Sequence, residues 1–128
     1  MLKYLWLEVL LRKNRFFEKK DNFSIYNFLQ TDDLESALNS SNLVICRSGY
    51  TSLMDIAKLE KQAFLIPTPG QYEQEYLASR LKKSRILASC SQKKFKAQKL
   101  KEVTNYKGLT GFTTGTDLSG IFALFKGK

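Results

Sequence analysis

The sequence predicts an α/β protein with an open, mostly parallel, Rossmann-like sheet and helices on both faces. Three observations carry this. Leu43–Cys46 and Ala63–Ile66 are short, continuous apolar runs of strand length, the pattern of strands buried on both faces. Between them, Tyr50–Leu59 has helical spacing, with Tyr50, Leu53 and Ala57 on one face and Ile56 beside it. After the second run, Pro67-Thr68-Pro69-Gly70 stops any regular element, and Gln71–Leu81 resumes a helical pattern. Two apolar strands joined by an amphipathic helix make a βαβ unit, whose strands run parallel.

The flanking elements follow from the same rules. Lys3–Leu11 is rich in strand formers and alternates, with Leu5, Leu7 and Val9 against Tyr4, Trp6 and Glu8. It reads as a strand, although Leu and Glu also favour helix. Arg12–Asp21 is dominated by charge and reads as a loop or a frayed helical turn. Phe23–Leu29 alternates weakly and reads as a strand. Thr31 caps a helix carrying Leu34 and Leu38, and Asp32 and Asp33 in its first turn suit the helix dipole. Arg85–Ala88 reads as one more short strand. Ser91–Asn105 reads as a strongly basic helix with Phe95, Leu100 and Val103 as its apolar minority. Lys107–Gly115, with three glycines and three threonines, reads as a loop, and Asp117–Phe125 as a short closing helix. No repeat divides the chain, so residues 1–128 are expected to form one domain.

Composition bounds the function. The chain has 128 residues, enough for one core, and 43% hydrophobic content, which argues against disorder. The net charge of +9 favours phosphates, acidic membranes or nucleic acid, and equally fits a lysine-rich solvated surface. Histidine is absent, which excludes a histidine base, a Ser–His–Asp triad and a histidine-ligated metal within these residues. No metal site or cofactor is expected. Two cysteines, Cys46 and Cys90, give no disulfide framework and fit a reducing, cytoplasmic setting. No apolar run reaches the roughly 20 residues of a membrane span. Met1–Leu11 has the apolar character of a signal peptide, but Glu8 interrupts it and no small-residue cleavage site follows.

The chemistry concentrates at the two turns that follow the central strands. In an open α/β sheet the carboxyl edge is where ligands bind. Each turn opens a helix whose free amides favour an anion. Ser48 and Gly49 let a phosphate approach the backbone closely. Thr51 and Asp55 share one helix face, and a carboxylate one turn into such a helix suits ribose hydroxyls, because it accepts two hydrogen bonds. Gln71, Glu73 and Gln74 suit the hydroxyls of a sugar for the same reason. Either turn alone is a common cap or loop. Together they are far more specific.

At these residues, CRSGYTSLMDIA followed by IPTPGQYEQEYLA resembles the C-terminal, donor-binding domain of family 28 glycosyltransferases, one half of a GT-B fold. The resemblance is strongest over residues 32–81. It implies a nucleotide-sugar site, with UDP as the expected nucleotide, formed by Arg47, Ser48, Gly49, Tyr50, Thr51 and Asp55 on one turn and Gly70, Gln71, Glu73 and Gln74 on the other. Ser48 and Gly49 would lie at the diphosphate. Asp55 stands where the family has a glutamate that holds the ribose, and is shorter by one methylene. Glu73 and Gln74 stand where a Gln-Gln or Asp-Gln pair touches the sugar.

The resemblance also implies what lies elsewhere. The acceptor and the catalytic base come from the family's N-terminal domain, so no catalytic residue is assigned. The family's first C-domain strand and its glycine-rich turn have no counterpart here, and no GxGxxG occurs. The isolated chain is therefore expected to be inactive and to need a companion N-terminal chain or to self-associate through uncovered apolar surface. Two further readings stay open: a truncated, non-catalytic remnant, and a basic module that contacts a membrane's inner face or nucleic acid. The aromatic residues do not interleave with the basic run, which argues against nucleic acid.

Overall fold

A computed structural model describes residues 4–7, 17–20, 23–26 and 31–109. Its order is β1 (Tyr4–Leu7), β2 (Phe17–Lys20), β3 (Phe23–Tyr26), α1 (Thr31–Ser40), β4 (Leu43–Cys46), α2 (Tyr50–Lys58), β5 (Ala63–Leu65), α3 (Tyr72–Lys83) and β6 (Ala88–Ser89), then 3-10 segments Gln92–Lys94 and Ala97–Asn105. Strands β1-β4-β5-β6 form one sheet in that order, with every pair parallel. β2 and β3 form a separate antiparallel pair.

The register of the central pair sets both cores. Val44 lies opposite Ala63, Ile45 opposite Phe64 and Cys46 opposite Leu65. Because side chains alternate across a strand, Val44, Cys46, Ala63 and Leu65 face one side. There they pack with Leu38 of α1, Leu53, Ile56 and Ala57 of α2, and Leu77, Ala78 and Leu81 of α3. Leu43, Ile45, Phe64, Ile66 and Ala88 face the other side, beneath Phe95, Leu100, Val103 and Tyr106. Thus α-helices cover one face and the segment from Phe95 to Tyr106 the other. Val44, Ala63, Phe64 and Leu65 are each 0% exposed, as a continuous apolar run in a parallel sheet requires.

Three expectations change. Phe17–Lys20, in the charged stretch, is strand and not loop: Phe17 pairs with Tyr26 and Lys20 with Phe23. The basic segment is not one α-helix. Phe95 and Lys96 are extended and break it, which brings the Phe95 ring edge-on to Phe64 at 5.7 Å. The strand expected at Arg85–Ala88 starts later. Arg85 has φ +58°, and Ile86 N–H donates to Leu81 O at 2.9 Å, so this stretch first closes α3 in a left-handed cap. The expected helix at Asp117–Phe125 lies outside the described residues. So does the loop expected at Lys107–Gly115 beyond Leu109. Among the described residues, the large hydrophobics that are exposed are Tyr50 and Tyr72, and no helix is long and apolar enough to cross a membrane.

Polar ties fasten the carboxyl edge. Ile66 N–H donates to Cys46 O at 2.9 Å, and the Arg47 guanidinium donates to Ile66 O at 3.2 Å and Pro67 O at 3.4 Å. Two buried serines seat α3. Ser48 Oγ donates to Gln74 O at 2.7 Å, and Ser89 Oγ donates to Ala78 O at 3.2 Å. These carbonyls are one helical turn apart on the same face of α3.

Three predictions follow from this packing. Ser48→Ala removes one buried hydrogen bond and should lower stability by about 1 kcal/mol in urea unfolding; an unchanged midpoint would show that the tie carries no energy. Burial pushes the Cys46 thiol up to about 12, whereas an unfolded chain ionises its thiols earlier. The folded-state preference for the thiol is fully present below the ordinary thiol range and is lost as pH rises towards about 12, so stability should decline over that alkaline window. At neutral pH a thiol reagent should modify half-buried Cys90 in the folded chain and reach Cys46 only on unfolding. Equal labelling rates would contradict the packing of β4.

Candidate functional site

The β4–α2 turn builds its surface from the backbone. The first main-chain bond of α2 is Leu53 N–H to Gly49 O at 3.0 Å, so the amides of Thr51 and Ser52 precede the helical ladder. Gly49 provides no side-chain cap. Its backbone is extended, at φ −76° and ψ 149°, a conformation open to any residue. A Cβ placed there would meet nothing within 4 Å. Neither conformation nor packing demands glycine, and the space at this position is open.

The side chains flanking Gly49 serve the fold. Ser48 is 0% exposed, and its hydroxyl is turned to α3. A ligand at this turn would therefore meet Ser48 through its main chain. Arg47 is half-buried and spans the ends of β4 and β5. Tyr50, expected on the buried face of α2, is 37% exposed, and Leu53, Ile56 and Ala57 form that face. Thr51 and Asp55 are exposed. Asp55 borders a groove of about 150 Å³ between α1 and α2, shared with Thr31, Leu34, Glu35, Lys58 and Leu59.

The second turn meets the first through Ser48 and Gln74. Gly70, at φ +81°, makes the bend that other residues resist, and Gln71 N–H closes it on Thr68 O at 3.0 Å. The Gln74 side chain folds back, and its Oε1 accepts from Thr68 N–H at 2.9 Å. That fixes the loop and leaves the NH2 end as the part suited to a ligand's oxygen. Gln71 and Glu73 are exposed. Gly70 N–H reaches Glu75 Oε1 at 3.4 Å.

Two features escape sequence reasoning. One is a cavity of about 390 Å³ beside the same loop, bounded by Pro67, Pro69, Glu75, Lys82, Cys90 and Lys93. It exists because β6 ends beside α3, which no local pattern announces. The other is Tyr72, 77% exposed at the start of α3 and stacked on Tyr76. Its i,i+4 spacing to Tyr76 was the available signal. Among the described residues, no group of three or more His, Cys, Asp or Glu is placed to hold a metal ion.

Comparison with known proteins identifies the family. Residues 8–107 match the glycosyltransferase family 28 C-terminal domain. The chain is 36% identical over 61 residues to a Haemophilus ducreyi protein named UDP-N-acetylglucosamine--N-acetylmuramyl-(pentapeptide) pyrophosphoryl-undecaprenol N-acetylglucosamine transferase, covering 48% of this chain and 17% of that protein. A Wolbachia protein of the same name is 32% identical over 97 residues, covering 70% of this chain and 28% of its own length. The chain thus spans less than a third of these curated relatives. No solved structure matches it. The family match covers most of the chain and includes both turns at the carboxyl edge: the protein belongs to the glycosyltransferase family 28 C-terminal domain family.

Proposed function

We propose that the chain is the nucleotide-sugar-binding half of a hexosyltransferase, that its donor is a UDP-sugar, and that a companion N-terminal domain supplies the acceptor and the catalytic base. The observation that carries this reading is the start of α2, where the Thr51 and Ser52 amides precede the helical ladder, no side chain caps them and the space at Gly49 is open. An anion at a helix N-terminus meets unpaired amides and the positive end of the dipole. The names of the relatives, each a transferase using UDP-N-acetylglucosamine, support the same ligand class.

The layout orders the ligand. Asp55 borders the α1 side of α2, and Ser48–Gln74 lies on its α3 side. A donor straddling the α2 N-terminus would place its ribose at Asp55, its diphosphate over Gly49–Thr51, and its sugar at Gly70, Gln71, Glu73 and Gln74. Asp55 accepts the two ribose hydroxyls, while Glu73 and the NH2 end of Gln74 hold sugar oxygens. Chemistry then awaits the companion domain, so the isolated chain binds without transferring. The reading places the protein in the cytoplasm, with Lys93, Lys94, Lys96 and Lys101 exposed on a face suited to weak attraction to an anionic inner membrane surface.

Asp55→Ala should weaken UDP binding by about 1.5–3 kcal/mol, the scale of hydrogen bonds to a charged group. Its melting curve should match the parent, because Asp55 is exposed and outside both cores. Lys96→Ala should leave UDP affinity almost unchanged at about 0.15 M salt. Calorimetric titration of both variants decides: equal affinities, or an unfolded Asp55 variant, would remove Asp55 from the site.

A further inference from the structure

None of the residues lining the cavity of about 390 Å³ beside Pro67 and Pro69 belongs to the proposed donor site. The cavity is walled by α3 on one side and by the residues that follow β6 on the other. α3 contributes Glu75, Ser79 and Lys82, which share one helix face, and the chain after β6 contributes Ser91, Gln92 and Lys93. An exposed lysine ordinarily moves its ammonium freely through solvent. Lys82 does not: its Nζ donates to Ser89 O at 2.9 Å, which holds it at the cavity wall. An ammonium carries three donors, so two remain.

The charge around this ammonium is one-sided. Residues 91–107 hold six lysines and one acid, Glu102, and so carry +5 of the chain's net +9. These cations act on the cavity wall. Burial raises the pKa of the Cys90 thiol there, and Lys99, Lys82 and Lys94 each oppose that rise, while Glu102 adds to it. The acid on the wall itself, Glu75, stands seven residues from Lys82, about 10 Å along the helix. Its Oε1 accepts from Gly70 N–H at 3.4 Å. An anion is therefore favoured at the other end, between Lys82 and Lys93.

We infer that the Lys82–Lys93 end of this cavity is a second phosphate-binding site, separate from the donor site. The residues there offer ammonium groups, hydroxyls and an amide, and they come from two walls. A tetrahedral phosphate carries acceptor oxygens in several directions, so it can use donors from both walls, and lysine meets it as a point charge. The planar oxygens of a carboxylate suit the paired donors of an arginine instead. A free phosphate ester and the headgroup of an anionic lipid present the same group. The site does not depend on the nucleotide-sugar reading, because it uses neither turn of the donor site.

The half-buried Cys90 thiol on the cavity wall is a built-in reporter of occupancy. The test follows the rate at which iodoacetamide, an uncharged reagent, alkylates Cys90 in the full chain at neutral pH. Inorganic phosphate at about 10 mM should slow the reaction about fourfold relative to chloride at equal ionic strength, as a site with a dissociation constant of about 3 mM requires. Lys93→Gln should lose most of this protection and Lys93→Arg should retain it. Lys101→Gln removes an exposed cation outside the cavity and should leave protection unchanged.

Glycerol 3-phosphate and vesicles of phosphatidylglycerol or phosphatidylcholine distinguish the sources. Protection by glycerol 3-phosphate, lost in Lys93→Gln, assigns a soluble ester. Protection by phosphatidylglycerol vesicles but not by phosphatidylcholine, again lost in Lys93→Gln and kept in Lys101→Gln, assigns a lipid headgroup. Equal losses in Lys93→Gln and Lys101→Gln would reduce the binding to diffuse charge and overturn the inference. No protection by phosphate, ester or vesicle would overturn it as well. If UDP protects Cys90 with the same constant that it shows at Gly49–Asp55, the cavity is part of the donor site and there is no second one. A chain that takes phosphate at Lys93 and ignores UDP would overturn the nucleotide-sugar reading alone.

Discussion

The parallel pairing of β4 with β5 is the constraint on which the remaining structure depends. It sets Val44 against Ala63 and Cys46 against Leu65, and so assigns every side chain of both strands to one of two cores. A slip of one residue would exchange the two faces. The same register brings the strand ends level, so that Arg47 reaches Ile66 O and Pro67 O, and Ser48 reaches Gln74 O. Two turns separated by over twenty residues of chain thereby become neighbours. Their proximity is a product of strand pairing and does not depend on any ligand.

This arrangement divides the labour among residues that a motif groups together. In Arg47-Ser48-Gly49, the first two side chains tie the edge, and the third leaves open space at the start of α2. In Gln71–Gln74, Gln74 supports the loop with its carbonyl oxygen while Gln71 and Glu73 stand exposed. The buried hydroxyl of Ser48 is inexpensive to bury because it donates to a carbonyl whose position α3 already fixes. Ser89 repeats the device one helical turn further along the same face of α3. The turn is consequently tied by polar bonds without devoting apolar volume to the carboxyl edge, where Asp55 and Glu73 stand exposed.

Much of this was legible in the sequence where the local pattern and the tertiary environment agree. Leu43–Cys46 and Ala63–Ile66 read as strands buried on both faces because nothing polar interrupts them, and they are. The helix at Tyr50 and the bend at Gly70 were equally plain. Phe17–Lys20 was misread because Glu18, Lys19 and Lys20 mask a strand whose pairing with Phe23–Tyr26 is set by its partner. Both strands of a two-stranded pair are edges, where charged residues are common. The basic segment was misread for a different reason: its apolar residues are too few to define a period, and the Phe64 ring decides where Phe95 must go. The roles of Arg47 and Ser48 were the least legible. Both bond to backbone carbonyls some twenty residues or more away, and a carbonyl has no signature in sequence. Tyr72 was hidden among residues chosen for polarity, although it is the aromatic ring at that edge most open to solvent.

The central claim is that both turns form one site for one anionic ligand. Amide-resolved NMR titration of the chain with UDP tests it most directly, because it reports each turn separately. The account predicts saturable shifts at Gly49–Asp55 and, through the Ser48–Gln74 tie, at Gly70–Gln74, all fitting a single dissociation constant. Shifts confined to Lys93–Lys101, or two turns responding with different constants, would contradict it.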